Sequence, residues 1–396
     1  MSICPSCKTE NPDSHQFCQF CGAKISVDFL VNILEEEAIK PSSVPTRPLN
    51  LEGMLGELKI QVDNFTSSQV ASDTEGLPEE LFLELNSEVS PEKFSDNLET
   101  LMVVSSSMHL RDITYAGKTD VGRQRDRNED DFATIFQTRS INGKSQISDR
   151  SHRGLFVLCD GMGGHEGGEV ASAIAVNSIS DQFRPFWIDT LPGAKKLNEI
   201  IGSTNQAIFA KNESEKRQAL SRMGTTLIML AIHDLEVVIA HVGDSRIYKV
   251  TGSPSPQREI SLESSSPKLE QITRDHEVLN QLLDLGIDLE TAIARPDAHQ
   301  LTQALGPNPS DRLDPSIEFF SLTEPTLFLL CSDGLCDNNA IEENWQTHLL
   351  PILNKEVDLQ TGLDNLIELG NNVNGHDNLT AILVLCDLTD SRQKTS

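Results

Sequence analysis

The chain reads as an α+β protein whose main domain has antiparallel sheets with helices packed outside them, preceded by a small metal-stabilised module. Three observations lead there. Apolar, β-rich runs follow each other from Thr225 to Val250 with no helix between them, which suits antiparallel sheets and not a doubly wound parallel one. Helical patterns stand apart from those runs. Four of the eight cysteines sit in two Cys-x-x-Cys pairs near the N-terminus.

In chain order, residues 1–24 come first. Cys4 and Cys7, then ten residues, then Cys18 and Cys21 supply four thiolates able to meet one tetrahedral Zn2+, and so short a segment cannot fold on an apolar core alone. A disulfide or redox pair is the weaker reading, because the N-terminus lacks the charged and apolar regions of a signal peptide. The stretch resembles a zinc ribbon holding one structural Zn2+. Residues 25–110 carry 16 acids against 4 bases, including Glu35-Glu36-Glu37, with Ser and Pro scattered through. They are expected to form a largely disordered acidic linker.

The net charge of −28, of which −16 belongs to Arg111–Ser396, argues against a nucleic-acid footprint. An anionic substrate would have to be attracted locally, by metals or a few arginines. No run approaches the ~18 apolar residues of a membrane span, so a cytoplasmic location is expected.

Within 111–390, strands are expected at Gly154–Cys159, Thr225–Ala231, Val237–Val242, Ile247–Val250, Leu327–Cys331 and Leu379–Cys386. Helices are expected at Gly168–Phe183, Leu197–Lys211, Glu277–Leu285, Ile341–Leu353 and Leu359–Leu369. Thr251–Pro267 reads as an exposed loop, Cys159, Cys331, Cys336 and Cys386 as small core residues, and 391–396 as a tail.

Two apolar strands each end in an aspartate followed by glycine: Asp160 in Cys-Asp-Gly-Met-Gly-Gly, and Asp333 in Cys-Ser-Asp-Gly. Buried strands do not tolerate an unpaired carboxylate, so such acids find a cation or a donor network. Asp377 precedes another apolar run, and Asn128-Glu129-Asp130-Asp131 follows an Arg-rich stretch. Acids converging from strand ends, with no His or Cys pattern among them, suit hard divalent ions such as Mg2+ or Mn2+. Each Asp-Gly alone is commonly a turn.

Taken together, Thr119–Asp130, Asp160–His165, Met223–Thr226, His241–Arg246, Ser332–Leu335 and Asp377-Asn378 resemble the metal-dependent Ser/Thr protein phosphatases of the protein phosphatase 2C type, in their bacterial form. The resemblance covers Tyr115 to about Leu388. It implies a four-layer α-β-β-α sandwich with two central antiparallel sheets and a cluster of two or three Mn2+ or Mg2+ ions at one end. Asp160 would bridge two ions, the Gly161 carbonyl would bind one, Asp333 and Asp377 would hold the other, and Glu129 and Asp130 would act through metal-bound waters. Asp244 with Asp333 would hold a third ion, the weaker reading of Asp244 being a turn cap paired with Arg246. A hydroxide bridging the ions would attack phosphorus in line. Arg125 matches the phosphate-binding arginine, while Arg123 and Arg127 share its face in an extended segment. The general acid stays open among His165, His299 and a metal-bound water, because the family's eukaryotic branch has His where this chain has Met162.

Thr273 to about Gly306 matches a flap near the site, read as two short capped helices hinged at Gly286. Its Arg274 and Arg295 are either contacts for an acidic phosphopeptide or solvated charges. The expected function is hydrolysis of phosphoserine and phosphothreonine in phosphoprotein substrates by a monomer, with the ribbon or linker recruiting a protein partner. Neither nucleic acid nor membrane is expected as a partner. The alternative is a non-catalytic scaffold on the same fold.

Overall fold

A computed structural model describes residues 2–3, 10–11, 108–140, 150–163, 167–187, 190–252 and 266–390. The four ribbon cysteines, the linker up to residue 107, His165 and the tail lie outside the described residues. The N-terminal unit contributes one antiparallel ladder, β1 (Ser2–Ile3) against β2 (Glu10–Asn11), with Ser2 opposite Asn11. Among the described residues no helix is long and apolar enough to cross a membrane.

The second unit holds two five-stranded antiparallel sheets. One runs in the order β12 (Ser316–Ser321), β9 (Glu236–Val242), β8 (Leu227–His233), β5 (Arg150–Cys159) and β4 (Asp131–Ser140). The other runs β11 (Lys268–Gln271), β10 (Arg246–Thr251), β13 (Thr326–Cys331), β14 (Leu379–Asp390) and β3 (Met108–Asp120). The last strand thus lies between β13 and the first strand of the unit, pairing Cys386 with Ile113 on one side and with Thr326 on the other. A two-stranded ladder joins β6 (Gly161–Met162) to β7 (Gly224–Thr225).

Period-two alternation builds the layers. On β5, Phe156 and Leu158 point into a core shared by both sheets, with Phe328 and Leu330 of β13 and Ile382 and Val384 of β14. The intervening Leu155, Val157 and Cys159 face α1 (Gly168–Phe183) and α2 (Ala194–Ser214). Ala171, Ala175 and Ile179, four apart, place one stripe of α1 on that face. Leu329, Leu383 and Leu327 face the other way, onto α5 (Asp333–Cys336), α6 (Ala340–His348), α7 (Leu350–Leu353) and α8 (Leu359–Val373), with Leu363, Leu366 and Ile367 of α8 buried there. Each fully buried Leu or Ile contributes roughly 1.5–3 kcal/mol. The arrangement is the expected α-β-β-α sandwich, and Cys159, Cys331, Cys336 and Cys386 are buried free thiols within it.

The expected elements need four adjustments. β3 begins at Met108, inside the segment expected to be linker, and its Leu110 is 3% exposed. The run Thr225–Ala231 divides at Thr226, because Gly224-Thr225 pairs with β6 while Leu227 onward pairs with β5 and β9. The helix expected over Ile341–Leu353 divides at Leu349, with Pro351, which has no N–H to give, in the first turn of α7. β4, β11 and β12 carry too little apolar alternation to be read from sequence; β11 and β12 are sheet edges, where polar residues are tolerated.

Candidate active site

Strand register brings the acids to one end of the sandwich. Asp131 pairs with Cys159, and Leu227 with Val242, so Asp130, Asp160 and Asp244 leave one sheet at the same edge. Cys331 pairs with Arg246 and Ala381, and Leu379 with Asp120, which places Asp333 and Asp377 at the matching edge of the other. Two glycines allow the loops to close up. A Cβ at Gly161 would lie 2.4 Å from the Glu129 carbonyl oxygen, and one at Gly334 would lie 2.0 Å from that of Asn378. The Asp-Gly pairs are therefore points where neighbouring backbone packs against the motif.

The result is a cleft of about 260 Å3 whose walls include Arg125, Glu129, Asp160, Gly161, Asp244, Asp333 and Asp377. Met162, Gly163, Thr226 and Leu301 complete it, and Arg125 is the one cation among these lining residues. A larger groove of about 460 Å3 lies toward the far end of β10, where Lys249 pairs with Glu270 at 2.9 Å, and holds none of the predicted site residues.

Backbone and hydroxyl groups fix the acids from behind. The Asp160 carbonyl accepts from Thr226 N and Thr225 Oγ1, both at 2.8 Å, and its N–H donates to Thr226 Oγ1 at 3.0 Å. Asp130 is buried, and its Oδ2 accepts from Ser332 Oγ at 2.8 Å and Thr380 Oγ1 at 2.6 Å. Asp377 Oδ2 meets Arg125 Nη2 at 2.5 Å. The Oδ1 atoms of Asp130 and Asp333 are buried without a hydrogen-bond partner.

Charge is crowded here. Loss of water raises Asp160 well above the usual carboxylate range, with Asp130, Asp333, Asp244 and a hydrogen bond to Asp333 adding to the rise. Asp244 is pushed up to about 8 by desolvation and then by Asp333. Asp130 rises to about 7 by desolvation, although its two hydroxyl donors pull it back. Asp333 rises to about 6 through desolvation and Asp337. Glu129 rises through desolvation and Glu169. Desolvation opposes the charge on Arg125, but its bond to Asp377 together with the charges of Asp377, Glu129 and Asp160 outweighs this and raises its pKa.

As they stand, no three acidic side chains form a closed coordination shell among the described residues. Asp377 is engaged by Arg125, and Asp130 by the hydroxyls of Ser332 and Thr380.

The three arginines that sequence left on one face are separated by the fold, because Val121–Asp130 is a turning loop and not a strand. Arg123 Nε donates to Asn371 O at 2.9 Å, Arg127 meets Glu169 at 3.6 Å, and Arg125 alone of the three lines the cleft. Arg246 pairs with Asp275 at 2.8 Å and with Glu342, so the ion pair imagined with Asp244 is not made, and Asp244 faces the cleft.

The flap is two short helices, α3 (Val278–Asp284) and α4 (Leu289–Ile293), with Gly286 at φ 81° and Asp288 capping Thr291 N. Its ends are sewn beside the acids by His276 N to Gly243 O and by reciprocal Thr225–Leu305 bonds. His299, a candidate general acid, is engaged by Glu277 at 3.2 Å and is not among the cleft walls. Arg274 pairs with Asp284, and Arg295 with Asp297. Sequence reading gave no role to the supporting groups Ser332, Thr226, Asn378 and Thr380; the first three lie in the quoted motifs, which was the available signal, whereas Thr380 lies inside the strand that follows Asp377.

Comparison with known proteins agrees with this geometry. The Protein phosphatase 2C family profile matches residues 142–367, which include Asp160, Asp244 and Asp333. Protein phosphatase PhpP of Streptococcus pneumoniae is 30% identical over 275 residues, 69% of this chain and 97% of that protein. Serine/threonine phosphatase stp of Listeria monocytogenes is 34% identical over 286 residues, 70% of this chain and 98% of that protein. The crystal structure of the Mycobacterium tuberculosis serine/threonine phosphatase PstP/Ppp superposes with a TM-score of 0.53 at 27% identity, covering 69% of this chain and 99% of that one. Staphylococcus aureus Stp1 gives 0.51 at 28%, covering 70% and 96%. With its sandwich, its ring of strand-end acids and relatives matched over nearly their full length, this chain belongs to the protein phosphatase 2C family and is a serine/threonine protein phosphatase.

Proposed function

We propose that the chain hydrolyses phosphoserine and phosphothreonine in proteins with Mg2+ or Mn2+ held in the acid cleft. One observation carries the reading: loss of water, with neighbouring carboxylates adding to it, raises the pKa values of Asp130, Asp160, Asp244 and Asp333 in a site where two buried carboxylate oxygens lack a partner. Oxygen donors without Cys or His fit these hard ions. Asp160, the Gly161 carbonyl, Asp333 and Asp377 would hold two ions, with Glu129 and Asp130 acting on their water ligands, and Asp244 with Asp333 holding a third. Bound there, the ions supply Lewis acidity, bringing the pKa of water toward neutrality and drawing charge off the phosphoryl group.

The chain's own residues do the rest. Arg125 grips phosphoryl oxygens with its planar fork once it leaves Asp377. That exposed pair is worth under about 1 kcal/mol, so releasing it is easy. Thr225 and Thr226 hold the Asp160 backbone, while Ser332 and Thr380 aim the free Oδ1 of Asp130. Met162 has no proton to give and His299 is engaged by Glu277, which leaves His165 or water to protonate the leaving oxygen. The test is phosphate release from a phosphopeptide with Mn2+, comparing the wild type with Asp160→Ala and Asp333→Ala. Loss of at least a thousandfold is expected for both, and equal rates in all three proteins would sink the proposal.

For the remainder of the chain we propose one structural Zn2+ on Cys4, Cys7, Cys18 and Cys21, supported by the β1–β2 ladder that brackets the first pair. We further propose a monomeric catalytic domain running from the start of β3 to about residue 390, with the preceding acidic segment as a partner-recruiting linker. The four buried free thiols suit a reducing, cytoplasmic setting.

A further inference from the structure

The loop that carries Arg125, between β3 and β4, has no regular structure, so its backbone groups must find partners elsewhere. Gly122 N donates to Asp120 Oδ1 at 2.9 Å, Arg123 N to Gly375 O at 2.9 Å, and Asp130 N to Asn128 Oδ1 at 3.1 Å. The largest share falls to one distant side chain. Asn378, 4% exposed, donates through Nδ2 to Val121 O at 2.9 Å and to Arg127 O at 2.8 Å. Its Oδ1 accepts from Glu129 N at 2.8 Å. These bonds bracket Arg125 on both sides, and they start from the residue after Asp377.

We infer that Asn378 is a positioning residue that sets the Arg125 loop for phosphate capture and ties it to the Asp377 segment. The inference rests on the proposed phosphate-binding role of Arg125. An amide can give two N–H bonds while its oxygen accepts, and Asn378 makes both donor bonds and one acceptor bond to the loop. Aspartate has the same shape but no donor, and would set a carboxylate oxygen against two carbonyls. Serine can give only one bond. Asn378 is therefore the one side chain that closes both ends of the loop at once, and a change there moves the guanidinium without touching it.

The experiment is a double-mutant cycle on the full chain with Mn2+, using p-nitrophenyl phosphate as substrate and inorganic phosphate as competitive inhibitor. Asn378→Asp should raise both KM and the phosphate inhibition constant on the order of tenfold or more, since small misplacements of a substrate-gripping group have effects of that size. In an Arg125→Ala background the same change should raise them by less than about threefold, because the group being positioned is gone. A purely structural clamp would give the same factor in both backgrounds, and that result overturns the inference while leaving the Arg125 assignment intact. If Arg125→Ala itself leaves phosphate inhibition unchanged, the Arg125 assignment fails and takes this inference with it. Should Asn378→Asp lose its folded circular-dichroism signal, Asn378→Ser, which keeps one donor, enters the same cycle with a smaller expected rise.

Discussion

Asp160 shares its surroundings with Asp130, Asp244 and Asp333, and the cheapest way for these groups to coexist without cations is to hold protons. The pH dependence follows by linkage. Asp333, Asp130 and Asp244 have folded pKa values of about 6, 7 and 8, above the unfolded value near 3.8, so the folded state binds more protons across that interval. Stability in chelator should therefore fall as pH rises from 5 to 8, and added Mn2+ should remove most of that slope; paired thermal melts read both. Asp244→Asn should raise the chelator-state stability at pH 8 by about 1 kcal/mol or more. At Arg125 the fork matters as well as the charge, so Arg125→Lys should raise KM for a phosphopeptide roughly tenfold or more while leaving kcat less affected. Steady-state kinetics decides it, and an unchanged KM would remove Arg125 from the binding role.

At the scale of elements, the outer helices and central strands are held by ordinary packing, and there the sequence was easiest to read. β5, β9, β13 and β14 alternate or run apolar throughout, and Gly168–Phe183 was bounded as the structure has it, because its small residues repeat at four-residue intervals. Edges were harder. Lys268–Gln271 and Ser316–Ser321 bury little, so nothing in their pattern separates them from loops. The acids were legible as a set because motif order is a chain-level signal. Which arginine enters the cleft was legible only through the family resemblance and not from spacing, since the loop's path depends on Asn378, some 250 residues away. On α8, which packs over β3 and β14, Leu366 is fully buried. Leu366→Ala should lower unfolding free energy by about 2–5 kcal/mol, measured by urea denaturation, with Mn2+ affinity kept because the helix holds none of the cleft acids.

For the whole molecule, the boundary of the catalytic unit is set by packing and not by composition. Leu110 and Ile113 are each 3% exposed in the core between the sheets. A chain lacking residues 1–107 should keep hydrolysis of p-nitrophenyl phosphate, whereas one lacking residues 1–113 should lose about 3 kcal/mol or more of stability. Activity assays and melts on the two truncations separate these outcomes. The sheet order carries a last implication, for synthesis in the cell. Because β14 is interleaved between β13 and β3, the opening strand of this unit waits on the ribosome for a neighbour that is translated after every other described strand of the unit. Glu129 likewise gains its tie to Asn378 only when the segment leading into β14 has emerged. A nascent phosphatase is thus mute until Asn378 and β14 have been made, and products terminated before them are born without a working centre.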